Sequence, residues 1–173
     1  MLLRPTYTID SIYHLNENQL KKMGIKAIFA DLDNTLLAWN VKQTAQEMDE
    51  LNHRLQKVGI KLVVISNNTF TRVDKVLAPY QISFLARAKK PLPFGIRKAL
   101  RHFHLRREEV LMVGDQLITD MQAGNLAGVR SVLVRPLVSS DRWNTQINRF
   151  FERFVFKFWA VSGRKIKFRE YLK

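Results

Sequence analysis

The stretch Ile25-Lys26-Ala27-Ile28-Phe29-Ala30-Asp31-Leu32-Asp33-Asn34-Thr35 decides how this chain is read, because an apolar run ends abruptly in two aspartates one residue apart. Side chains at i and i+2 of an extended segment share a face, so Asp31 and Asp33 are expected to point the same way. Two crowded carboxylates repel unless a cation or a proton relieves them. Magnesium suits such a pair, since it takes oxygen from one or two carboxylates and completes its shell with water and substrate phosphate. A calcium loop fails at once: its sixth position would be Leu36 rather than glycine and its twelfth Lys42 rather than glutamate. The plainer alternative is that the aspartates only cap the turn.

Working outward, further apolar runs occur at Lys61–Ile65, Val110–Val113 and Arg130–Val134, with a weaker one at Ile82–Leu85. Between them lie helical patterns at Glu17–Met23, Gln43–Val58, Thr71–Leu77, Pro93–Phe103 and Thr119–Ala127. Gly24, Gly59 and Gly128 stand just past three of these, as helix stops do. Short buried strands alternating with helices predict an α/β fold with a doubly wound parallel sheet, where ligands bind beyond the carboxyl ends of the strands.

The polar residues at those ends are unusual. Ser66-Asn67-Asn68 follows the second run, and a hydroxyl with backbone amides there can cradle a phosphate oxygen. The same residues also serve as helix caps. Ala88-Lys89-Lys90-Pro91 offers a lysine to neutralise that phosphate, although most lysines are solvated surface charges. Gly114-Asp115-Gln116, followed by Thr119-Asp120, places more carboxylates at a strand end.

Composition narrows the chemistry. The chain has no cysteine, so disulfides, thiolate zinc sites and cysteine nucleophiles are excluded. It has 173 residues, 46% hydrophobic and 25% charged, as expected for a globular domain. No secretory signal and no run of about 18 apolar residues is visible, so a cytoplasmic location is expected, with peripheral attachment to the inner face of the cell membrane in view. The net charge of +14 favours anionic partners. From Arg142 to Lys173, nine basic and two acidic residues give +7.

In order, Asp31-Leu32-Asp33-Asn34-Thr35, Ser66, Lys90-Pro91 and Gly114-Asp115-Gln116 with Thr119-Asp120 resemble the four motifs of the haloacid dehalogenase superfamily. The full strings look like subclass IIIA, and more narrowly like the YqeG-type phosphatases related to the phosphatidylglycerophosphate phosphatases. The resemblance covers roughly Lys21 to Pro136, and Thr145–Arg153 extends it. It implies that Asp31 is the nucleophile and Asp33 the general acid and base. It also implies phosphate binding by Ser66, Asn67 and Lys90, with Lys89 as the rival lysine. Thr35 would help hold the Asp31–Asp33 loop and is counted among the implied phosphate-binding residues. Magnesium is implied on Asp31, the Asp33 carbonyl and Asp115, with Asp120 in support.

Many members of that superfamily carry a cap domain, but neither Asp33–Ser66 nor Ser66–Lys90 has room for one. An uncapped site favours a bulky or surface-bound substrate or closure by oligomerisation. Residues 1–141 are therefore expected to form the catalytic domain and residues 142–173 a basic amphipathic extension. Ile147, Phe150, Phe151, Phe154, Val155, Phe158 and Trp159 fall on one helical face, followed by Arg164-Lys165-Ile166-Lys167-Phe168-Arg169. That face either lies on an anionic membrane or packs on the sheet or a second subunit. The expected function is hydrolysis of a phosphate monoester, foremost phosphatidylglycerophosphate in phosphatidylglycerol and cardiolipin synthesis. Rivals are a phosphatase of nucleotides, nucleic-acid ends or phosphoproteins, and a non-enzymatic nucleic-acid-binding protein.

Overall fold

In the computed structural model, which describes residues 2–38, 43–138, 168–170 and 172, the apolar runs pair into one parallel sheet. Its strands are β1 (Tyr7–Ile9), β2 (Ala27–Ala30), β3 (Lys61–Ile65), β4 (Ser83–Leu85), β5 (Val110–Gly114) and β6 (Arg130–Val134). Their spatial order is β1-β6-β5-β2-β3-β4, every neighbouring pair being parallel. The helices are α1 (Glu17–Lys22), α2 (Gln43–Lys57), α3 (Phe70–Leu77), α4 (Phe94–His102) and α5 (Gln122–Ala127).

Strand alternation sorts the core into two layers. Ile28, Leu62, Val64, Leu111 and Val113 meet Leu20, Met48, Leu51, Leu55 and Val73 from α1, α2 and α3. The intervening Ala27, Phe29, Val63, Ile65 and Met112 meet Ile96, Ala99, Ala123 and Ala127 from α4 and α5. Central strands covered on both faces need apolar side chains at every position, which is why they read as unbroken apolar runs.

Some boundaries differ from expectation. The first central strand starts at Ala27 rather than Ile25, because the Ile25 N–H bonds Leu20 in the stop of α1, where Gly24 takes φ 72°. The helix expected over Thr119–Ala127 is instead a π-helical turn, Leu117–Met121, leading into α5. The edge strand β1 was not anticipated at all. It has only three residues and pairs with β6 alone, so it leaves little trace in the sequence.

After β2 the chain builds β3 and β4 on one side, then crosses back to build β5 and β6 on the other. The carboxyl ends of β2 and β5 thus form the topological switch point. Between Asp33 and Ser66 the described chain contains one helix and one strand, and between Ser66 and Lys90 little more than α3 and β4. The expected amphipathic helix lies outside the described residues. The residues beyond it return to the core: the Arg169 carbonyl accepts from Asp10 N–H at 2.9 Å, and Leu172 is buried. Phe168 lies under the Arg135 guanidinium at 4.4 Å. No helix among the described residues is long and apolar enough to cross a membrane.

Candidate active site

Beyond β2 the backbone stops being extended. Leu36 and Leu37 N–H groups return to the Leu32 carbonyl, Asn34 N–H bonds Leu37, and Asn34 takes φ 63°. A tight loop, not strand alternation, therefore orients Asp31 and Asp33. Asp31 is anchored through its N–H to Val113 of β5 at 2.9 Å.

Asp31, Asp115 and Asp120 come together at the switch point, with one ligand atom from each lying within 4.8 Å of the others. All three are buried. Asp120 reaches the cluster because Gly114 has no side chain, and a Cβ there would collide with the Asp120 carboxylate. The Gln116 N–H holds one Asp120 oxygen at 3.1 Å, which ties the π turn to the site. The Thr35 hydroxyl donates to Asp115 at 3.2 Å.

Among the described residues, one ammonium pairs with two of these carboxylates. Lys90 Nζ lies 2.5 Å from Asp31 and 2.7 Å from Asp120, and only 2% of its side chain is exposed. Asn67 sets the loop that carries it. Its carboxamide donates to the Lys90 carbonyl and accepts from the Lys90 N–H, both at 2.8 Å. The Asn67 side chain thus shapes the lysine loop.

The electrostatics follow from three buried carboxylates, two of which share one ammonium. Burial, aided by Asp120 and Asp33 and opposed by Lys90, pushes the Asp31 carboxyl up to about 7. Burial also works against the Lys90 charge, but Asp120 and Asp31 overcome it and hold its pKa above the ordinary lysine value. Among the described residues the cluster holds more carboxylates than paired cations. Hard, anionic oxygen donors in such a cluster fit a divalent cation.

Asp33 has different company. Its carboxylate accepts from Asn68 Nδ2 and from an Arg72 guanidinium nitrogen, each at 2.5 Å. It is more than a third exposed. The Ser66 hydroxyl accepts from the Asn68 N–H at 3.1 Å and from its carboxamide at 3.3 Å. Asn68 and Arg72 were not anticipated as site residues. Arg72 sits in the first turn of α3, six residues past Ser66, and nothing in its sequence context marks it.

The haloacid dehalogenase-like hydrolase family model matches residues 4–134. The chain is 36% identical over 149 residues to the probable phosphatase YqeG of Bacillus subtilis (strain 168), covering 86% of this chain and 87% of that protein. It is 28% identical over 172 residues to the chloroplastic phosphatidylglycerophosphate phosphatase 1 of Chlamydomonas reinhardtii, covering 94% of this chain and 64% of that protein. Among solved structures, NagD from Escherichia coli K-12 superposes with a TM-score of 0.53 at 18% identity, over 67% of this chain and 90% of that one, a likeness of fold.

Proposed function

We propose, from the fact that this chain belongs to the haloacid dehalogenase-like hydrolases and is a phosphatase, that its substrate is the phosphate monoester of an anionic membrane lipid and its metal magnesium. Phosphatidylglycerophosphate is the proposed lipid. The observation that carries this choice is the similarity to the algal phosphatidylglycerophosphate phosphatase, which runs along 94% of this chain. The basic balance of the chain, +14, supports an anionic partner.

In this reading an Asp31 oxygen attacks phosphorus while the bond from phosphorus to the alcohol oxygen breaks. Asp33, a carboxylate outside the buried cluster, gives a proton to the departing alkoxide. It then takes a proton from water, whose oxygen attacks the aspartyl phosphate and frees Asp31 and inorganic phosphate. Asn68 and Arg72 hold Asp33 for both transfers. Lys90 neutralises the incoming phosphoryl oxygens, and Ser66 and the Asn67 backbone bind them. Asp31, Asp115 and the Asp33 carbonyl would hold magnesium with Asp120 behind, and the ion would supply Lewis-acid neutralisation of the phosphoryl charge. Without such neutralisation a carboxylate and a phosphate repel by about 1 kcal/mol per charge pair at 4 Å in water, and by several times that in a drier site.

The basic residues after Asp141 are proposed to contact the cytoplasmic face of the membrane. A screen of phosphate release from phosphatidylglycerophosphate in mixed micelles, nucleotides, nucleic-acid ends and phosphopeptides tests the substrate. Preferred turnover of the lipid is expected, and a nucleotide or phosphopeptide hydrolysed at higher kcat/KM overturns it.

A further inference from the structure

The aromatic and cationic edge formed by β4, α3 and α4 is a docking face for an anionic lipid bilayer, we infer, beside the reaction site. Among the described residues, four large apolar side chains are strongly exposed, and three of them belong here. Phe70 is 62% exposed, Phe94 57% and Leu92 47%. All three follow the carboxyl ends of β3 and β4, the edge of the sheet on which Asp31 also lies.

The exposed rings open onto a groove. Phe70 packs tilted against Phe84 with ring centroids 5.2 Å apart, and the groove of about 610 Å³ continues over β4 to Phe103. Arg87, Lys98 and His102 rim it, and no carboxylate lines it. Among the described residues no ion pair engages Arg87 or Lys98. Phe94 and Lys98 stand four residues apart on α4 and so share a helix face, which joins the exposed ring to the groove rim. Among the described residues β4 has no partner strand on its outer side.

Aromatic side chains beside unpaired cations, with no acid among the described residues lining the groove, match the chemistry of a bilayer interface. The rings enter the acyl boundary and the cations meet lipid phosphates. A protein partner would leave those cations to be matched one by one, whereas a field of anionic headgroups matches them in any rotation. Placement agrees with this choice. Strands lie about 4.8 Å apart, so β4 stands about 10 Å from β2 and its nucleophile. On the other side of the site, Arg169 is exposed and its backbone carbonyl accepts from the Asp10 N–H just past β1.

This inference rests on the lipid reading of the site, and the experiment separates the two. Phe70→Ser/Phe94→Ser and Arg87→Gln/Lys98→Gln are compared with the wild type for binding to phosphatidylglycerol vesicles and to phosphatidylcholine vesicles. Thermal unfolding and hydrolysis of a soluble aryl phosphate serve as controls. Each double variant is expected to keep its fold and soluble-ester turnover and to bind phosphatidylglycerol vesicles at least about tenfold more weakly, equivalent to about 1.4 kcal/mol. Salt sensitivity should shrink only in the Arg87/Lys98 variant. Unchanged vesicle binding in both overturns the docking face, even if the wild type hydrolyses phosphatidylglycerophosphate in micelles. Weakened binding upholds it, even if that lipid proves not to be the substrate. A wild-type dimer in sedimentation that the Phe70/Phe94 variant dissociates, with vesicle binding intact, assigns the face to a second copy of this chain and overturns the proposal.

Discussion

The Lys90 ammonium is hydrogen-bonded to Asp31 at 2.5 Å across 59 residues of sequence, and the two groups are buried together at the end of β2. A carboxylate held against a lysine, here the proposed nucleophile, is partly neutralised before any substrate arrives. The same lysine also touches Asp120, so one cation serves two carboxylates and leaves room for a second positive charge.

Replacing Asp31 by Asn keeps the shape and removes the attacking charge. Turnover should fall at least about a thousandfold, a loss of about 4 kcal/mol in transition-state stabilisation. Acid-stable, hydroxylamine-labile labelling by substrate phosphate should disappear. Near wild-type turnover in this variant would refute the aspartyl-phosphate route.

Metal removal should silence the enzyme. Magnesium is expected to restore activity after chelation and calcium is not, because calcium prefers longer bonds and more ligands and would shift Asp31 out of line. Full activity in excess chelator, with metal content measured as negligible, would contradict the carboxylate cluster as a metal site.

Stability without metal should depend on pH through Asp31. Its carboxyl is raised from 3.8 to about 7, so the folded chain holds that proton more tightly than the unfolded one. The resulting stabilisation is complete below pH 3.8 and is lost as the pH rises through about 7. In chelator, the wild type should therefore lose stability between pH 5 and pH 8 relative to Asp31→Asn, by at most a few kcal/mol. Parallel melting temperatures for the two proteins across that range would count against the assignment.

Asn68→Ala should free the Asp33 carboxylate from one of its two side-chain partners. We expect kcat for a soluble ester to drop about tenfold, about 1.4 kcal/mol, while KM changes little. A rise in KM at constant kcat would show instead that Asn68 binds substrate.

Changing Arg164, Lys165, Lys167 and Arg169 to Gln tests the tail. Each basic residue near an anionic surface contributes about 1 kcal/mol, so binding to anionic liposomes and its salt sensitivity should both diminish. Soluble-ester hydrolysis should not change. Identical co-sedimentation of variant and wild type at low salt would remove the tail from the membrane contact.

Taken alone, the sequence determined the α/β class, four central strands and the identity of the polar residues at their ends. It could do so because strands buried on both faces must be apolar throughout, so a carboxylate or serine at their ends stands out. Tertiary structure decided how those residues are joined. Asp33 lies 35 residues from Asn68 and 39 from Arg72, and Asn67 is 23 from the lysine loop that it shapes. Lys89 and Lys90 are equivalent as letters, yet only Lys90 has its ammonium inside the carboxylate cluster. Hydrogen bonds across such separations have no period for a sequence to display. They exist because parallel strands bring distant loops to one edge of the sheet, the edge that Phe70 and Phe94 also follow.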